Sequence, residues 1–206
     1  MHLRAVEQKL GVKFDISPLP WKRCQESMRE GKVDGIFAAS FKTERMEMGH
    51  YPMAGDKPDE TRAMMYDGYS LYRIKGGSAQ WDGVKLTVTG PVGAQPGYSI
   101  IDQLKQLGAK VDDGTKTAED TLRKLLAGRL DAAALQTLEG DNALFTNAEF
   151  AAKVEKVKPA LVDKPFFLML SKQFVAKYAD FSKEIWKAVA DVRESVDYKN
   201  KMGSFK

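Results

Sequence analysis

Apolar residues recur at helical spacing from the start of the chain. Leu3, Val6 and Leu10 share one face of a helix, and Gly11 follows as its natural C-terminal cap. Residues 12–16 alternate apolar and polar, which predicts a short strand. Pro18 and Pro20 then lead into a helix with Trp21, Cys24 and Met28 on one stripe, stopped by Gly31. Residues 33–39 form a short apolar run bounded by turn residues and predict a buried strand, which completes a strand–helix–strand unit. Residues 52–60, rich in Pro, Gly and Asp, predict a loop, and residues 64–74 a further strand.

Between residues 76 and 83 the composition shifts to Gly, Ser, Asp and Trp, a plausible linker. Residues 86–92 predict a weak strand. A helix carrying Ile100, Leu104 and Leu107 follows and stops at Gly108. Thr117 with Asp120 resembles a capping box before a helix bearing Leu122, Leu125 and Leu126, which stops at Gly128. Residues 130–135 predict a second buried strand. The last predicted helix, residues 181–194, places Phe181, Ile185, Trp186, Val189 and Val192 on one stripe.

Gly31-Lys32-Val33-Asp34-Gly35 and Gly128-Arg129-Leu130-Asp131-Ala132 share a form: capping glycine, basic residue, apolar residue, Asp, small residue, strand. Any helix-to-strand turn in an α/β protein can look so. The alternative is two lobes of like architecture, each a small, mainly parallel sheet flanked by helices, with a ligand cleft between them.

Composition narrows the function classes. A chain of 206 residues with 43% hydrophobic and 29% charged residues is long enough for a real core and is neither disordered nor collagen-like. The longest apolar run, residues 166–170, falls far short of the roughly 20 residues that span a bilayer. The 32 basic and 28 acidic residues give a net charge of +4, but they are interspersed, and the basic stretch 153–158 reads as a solvated strand face. Nucleic acid is not an expected partner. A single cysteine, Cys24, excludes an internal disulfide and reads as an inert core thiol. His2 and His50 have no metal-ligand spacing, so neither a metal nor another cofactor is expected.

No catalytic signature is present: no glycine-framed serine, P-loop lysine or dinucleotide fingerprint. Two segments stand out for binding instead. Ser40, Phe41, Lys42 and Arg45 follow a buried strand, and a serine hydroxyl with an arginine fork suits a small carboxylate. The alternative there is a helix start with Thr43 as N-cap and Arg45 in a surface pair. Gly97, Tyr98 and Ser99 open the second-half helix, where free N–H groups favour an anion; a serine at a helix start is also common for structural reasons. Trp21 and Trp186, on apolar stripes, read as core.

The order of these segments resembles a known family. Pro20-Trp21-Lys22-Arg23-Cys24, then the run from Gly31 to Ser40, then Thr43-Glu44-Arg45 and Tyr51-Pro52-Met53, are similar to the bacterial extracellular solute-binding proteins of family 3. These are the polar amino-acid-type receptors of ABC importers. Gly90-Pro91-Val92-Gly93-Ala94-Gln95-Pro96-Gly97-Tyr98-Ser99, Gly128 to Ala132, and Lys164-Pro165-Phe166-Phe167-Leu168-Met169-Leu170-Ser171 continue the likeness over nearly the whole chain.

The resemblance implies the two-lobed, type II periplasmic-binding-protein fold. Residues 1–75 would form lobe 1 without its first strand, residues 76–163 lobe 2, and residues 164–206 the return crossing with helices packing on lobe 1. It implies a periplasmic or extracellular receptor, exported by a signal upstream of residue 1, that holds a small-molecule ligand in an interlobe cleft. The receptor would deliver that ligand to ABC transporter membrane subunits without inserting into the membrane itself. Ser40 and Arg45 match the residues that hold the ligand carboxylate, and Tyr98 and Ser99 assist from the other lobe.

The chain departs from the family pattern at three places. The family's first strand and ligand loop are missing. Lys42 stands where a Thr is usual. Gln136 or Thr137 stands where an acidic residue receives the ligand's amino group, Glu139 being the nearest carboxylate. A carboxylate without an amine, or a neutral polar solute, therefore fits as well as an amino acid. Two alternatives share the fold: the input domain of a sensor or regulator, and a cyclic-acid dehydratase with Glu139 as acid and Arg45 as clamp.

Overall fold

A computed structural model describes residues 2–203. The chain folds into two compact units, one made of Met1–Tyr66 with Pro165–Lys206, the other of Asp67–Lys164. The chain passes from one to the other within two ten-residue strands, Met65–Ile74 and Val162–Ser171. The composition shift at 76–83 therefore does not coincide with the unit boundary, which lies inside a strand. That segment enters a small hairpin instead, Gln80–Trp81 paired with Leu86–Thr87.

In the unit holding both chain ends, the strand stretch 166–170 is central. Its side chains alternate between two cores, as a strand with both faces covered requires. Leu168 and Leu170 join Leu3, Val6, Ile185, Val189 and Val192. Phe167 and Met169 join Met28, Ile36, Ala39, Met48 and Tyr51. The first core is built by helix His2–Leu10 against helix Ala179–Glu194, where His2 Nε2 lies 2.9 Å from Val189 O. The second lies under helix Trp21–Arg29. Strand Gly35–Ser40 pairs antiparallel with 166–170, and the short strand Gly49–His50 pairs antiparallel with Leu170 and Ser171.

Residues 12–16 are not a strand. The Phe14 N–H donates to Glu7 Oε1 at 2.6 Å, and its carbonyl accepts from Arg4 at 3.0 Å. Side chains of the first helix thus take the backbone groups that a neighbouring strand would use, and the expected strand–helix–strand unit does not form. Strand Gly35–Ser40 in turn lies at the end of its sheet, with Phe37 44% exposed. It carries a register shift between Ile36 and Ala39, where Ala38 takes φ +55°.

The continuous unit builds a mixed sheet. Strand Ala132–Gln136 runs antiparallel to residues 69–72 and parallel to Val92–Gly93, which runs parallel to Val111–Asp112. Val154–Lys156 extends the Met65–Ile74 pairing. The α/β class stands, but the sheets are mixed rather than mainly parallel, because both long strands pair antiparallel with their neighbours. Helix Ala118–Leu126 begins at Thr117, whose Oγ1 accepts from the Asp120 N–H at 3.0 Å, and buries Leu122 and Leu125 against Tyr72, Leu135 and Phe150.

The helix-ending turns at Gly31 and Gly128 have the same geometry: both glycines have positive φ, +66° and +69°. In each, the next N–H reaches back to the preceding turn, Lys32 to Ser27 and Arg129 to Lys124. Gly11 and Gly108 end their helices in the same left-handed way, so the shared form reflects a common helix stop. Helices Thr137–Thr146, Ala148–Lys153, Lys172–Lys177 and Val196–Gly203 add to those expected.

Candidate functional site

Two groups of polar residues stand out, one in each unit. In the first, strand Gly35–Ser40 delivers Ser40 into a turn that continues as the 3-10 helix Thr43–Glu47. Thr43 is not an N-cap. Lys42 holds that place without a side-chain cap, and pairs with Glu44 at 3.1 Å. Arg45 does not stand on the surface but is buried, at 4% exposure. Its Nη1 donates to Ser40 O at 2.7 Å and to Ser40 Oγ at 3.2 Å. Tyr51 OH also donates to Ser40 O, at 2.9 Å, and Phe41 packs edge-on against the Tyr51 ring. Burial pushes the Tyr51 phenol above its usual range, so it stays a donor.

The Arg45 guanidinium lies over the Trp21 ring, 5.1 Å from its centroid. Trp21 is half-buried and also packs against the core that holds Met28, Phe167 and Met169. Its contact to Arg45, like that of Tyr51, escaped the sequence because these residues lie on separate elements. Cys24 is also half-buried; its thiol donates to Leu19 O at 3.4 Å, and burial raises its pKa, so little thiolate is present. Trp186 packs against the Ile185 core and donates from Nε1 to Leu168 O.

In the second group, Gly97 takes φ +79° and turns the chain into Tyr98 and Ser99 before helix Ile100–Gln106. Tyr98 OH donates to Glu139 Oε1 at 3.2 Å, and Gln95 Nε2 donates to Glu139 Oε2 at 2.8 Å. Gln95 is nine-tenths buried or more, and its Oε1 has no hydrogen-bond partner. Both oxygens of Glu139 are therefore held, and Gln95 joins this candidate group as a member the sequence reading missed.

Ser99 is buried; it accepts from Lys164 Nζ at 3.2 Å, and Lys164 lies over the Tyr69 ring. Gln136 sits opposite Tyr69 in the sheet register, and so on the same face. Thr137 faces the other way. Its Oγ1 lies 2.8 Å from Ser70 Oγ, and it lines a separate cavity of about 570 Å³ with Ser70, Lys156, Pro159, Ala160 and Asp163. Gly97, Tyr98 and Glu139 are thus brought together through Gln95, while Thr137 is set apart.

Beside this second group, Asp67 has its pKa raised to about 6, first by burial and then by the Glu139 and Asp141 charges, against hydrogen bonds from Gly68 and Leu138 N–H. Among the described residues, no group of three or more His, Cys, Asp or Glu is placed to hold a metal ion, and no helix is long and apolar enough to cross a membrane.

No protein-family model and no curated protein sequence matches the chain. Solved structures do. The chain is similar to the GluR0 ligand-binding core from Nostoc punctiforme in complex with L-glutamate, with a TM-score of 0.73 at 16% identity over 97% of this chain and 85% of that one. A histidine kinase sensor domain with similarity to periplasmic binding proteins gives 0.75 at 14% identity, over 98% and 82%. The substrate-binding protein of an amino acid ABC transporter gives 0.68 at 15%, over 98% and 82%. At such identities the likeness speaks for the fold alone: the chain has the α/β fold of the type II periplasmic binding proteins.

Proposed function

We propose that the protein is a solute receptor of the family 3 type, working outside the cytoplasm. It binds a small polar carboxylate, an amino acid or related organic acid, and delivers it to an ABC importer. The observation that carries this reading is the Arg45 group. A buried guanidinium, aligned by a backbone carbonyl, a hydroxyl and an indole face, is a costly arrangement that suits recognition of a carboxylate. In this reading the ligand's carboxylate goes to Ser40 and Arg45, with Phe41 and Lys42 beside it. Gly97, Tyr98, Ser99, Gln136 and Glu139 form a second polar group suited to a ligand, in which Thr137, turned to the other face, takes no part. The reading is of a binding protein that turns nothing over.

Calorimetric titration with amino acids, dicarboxylates and cyclic carboxylic acids tests it. Arg45→Ala should weaken a carboxylate ligand by about 2–5 kcal/mol, as truncating one partner of a buried charged pair does. Unchanged affinity would remove the clamp role. Gln136, a neutral side chain, lessens the demand for an amine, so glutarate should compete with glutamate within about tenfold. A second reading is favoured by one observation, the likeness to a histidine kinase sensor domain: the same ligand binding would then feed a signal rather than an importer. A kinase or cyclase segment in the same gene would decide for it.

A further inference from the structure

We propose that the cavity of about 570 Å³ that Thr137 helps to line is a further binding site, suited to a small zwitterion carrying both a carboxylate and an ammonium group. All of its lining residues belong to the continuous unit Asp67–Lys164 and none to the Ser40–Arg45 group, so the site is independent of the carboxylate reading above. The backbone makes the space. Val157 N–H donates to Leu71 O at 2.8 Å, and Leu161 N–H to Tyr69 O at 2.7 Å. A regular antiparallel ladder would bring residue 159 to Tyr69, so residues 158–160 arch away from the strand beside Ser70. Trp81 Nε1 donates to Ala160 O and Gln103 Nε2 to Leu161 O, both at 3.1 Å, and these bonds hold the arch in its path.

The lining offers three kinds of contact. Ser70 Oγ lies 2.8 Å from Thr137 Oγ1. That bond uses one of the two hydroxyl protons, whichever side donates, and leaves the other for a guest. Lys156 is already neutralised by Asp141, whose Oδ2 lies 2.5 Å from its Nζ. Lys158 and Asp163 differ: both are exposed, and among the described residues neither side chain makes a hydrogen bond or an ion pair. Gly68 clears a place for the Asp163 carboxylate, since a Cβ there would overlap its Oδ1. A lone anion would gain Lys158 but meet Asp163, and a lone cation would meet the reverse. A zwitterion answers both charges, while Val157 and Pro159 take its carbon chain.

Backbone amide NMR, titrated with glycine, β-alanine and 4-aminobutyrate, tests this residue by residue. Propionate, propylammonium and glycerol are the controls, carrying one charge or none. The expected result is a saturable shift at residues 70, 137, 157, 158 and 160 with at least one zwitterion, and binding weaker by about threefold or more for each control. Lys158→Gln and Asp163→Asn should each weaken that zwitterion by about threefold, the scale of an exposed charge pair. Thr137→Val, which keeps the shape and removes the hydroxyl, should weaken it by about threefold to tenfold.

No saturable shift at these residues with any of the zwitterions overturns the proposal. Shifts confined to residues 40–45 overturn it too, since they would place binding at the Arg45 group alone and leave the carboxylate reading standing. A control that binds as tightly as the zwitterion sinks the proposed ligand class. Lys158→Gln and Asp163→Asn alter exposed residues, so they keep the test decisive should Thr137→Val fail to melt cooperatively. Unchanged affinity in both would remove the site.

Discussion

Tyr98 OH donates to Glu139 Oε1 at 3.2 Å, tying the turn before one helix to the first turn of another. Since Gln95 Nε2 holds the other carboxylate oxygen, Glu139 braces the 95–98 turn. Glu139→Ala would leave the buried Gln95 Nε2 with only its 3.3 Å bond to Tyr98 OH, in an amide whose Oε1 already has no partner. The expected cost is about 1–3 kcal/mol, read as a lower urea midpoint. Glu139→Gln, which keeps one acceptor, should cost less; equal costs would show that the carboxylate does not hold the turn.

Asp67 makes stability depend on pH. Its folded pKa of about 6 stands above the ordinary carboxylate value of 3.8, so between the two the folded chain binds more protons than the unfolded one. Stability from this group is therefore fully present below the lower value and declines as pH rises through the upper one. Asp67→Asn should raise the Tm at about pH 7.5 and change it little near pH 4. The gain should be roughly 1–2 kcal/mol, because water still reaches part of the carboxyl. A variant as stable as wild type at both values would remove this account.

Gly140 leaves no room for a side chain. A Cβ there would overlap the ring of Tyr72, which is fully buried and anchored by bonds from its hydroxyl to Asp141 Oδ1 and Thr137 O. With the ring unable to retreat, Gly140→Ala should destabilise by about 1–3 kcal/mol despite the better helix propensity of alanine. Thermal melting measures this, and a rise in Tm would contradict it.

Strand Gly35–Ser40 ends its sheet and exposes Phe37, and an apolar sheet edge invites pairing with another chain. Self-association that grows with concentration is expected in sedimentation velocity, and Phe37→Lys should reduce it. A wild-type chain that stays monomeric at high concentration would show the edge to be protected.

The sequence was most readable where one residue acts alone. Gly11, Gly31, Gly108 and Gly128 end helices by their own backbone freedom, and Thr117 starts one with its own hydroxyl. It was least readable where an element depends on distant partners. Residues 12–16 alternate like a strand, but a strand needs a neighbour, and Glu7 and Arg4 took its place. Helix Thr137–Thr146 was hidden by Gly140 within it and by a weak apolar stripe. Ser40 and Arg45 were visible as a local pair in the first group, whereas Trp21, Tyr51 and Gln95 reach their partners only through the fold.

The unit Asp67–Lys164 is continuous in sequence, whereas the other is completed only by Pro165–Lys206. Helix His2–Leu10 packs on Ala179–Glu194, and strand Gly35–Ser40 pairs with residues 166–170. During synthesis, the segment made first must therefore wait for the segment made last, while the middle of the chain is already able to fold. The usual order, in which the N-terminal part folds first, is reversed. A chain cut after Lys164 should hold one protease-resistant unit, trailing an N-terminal stretch that is still open to cleavage or to a chaperone.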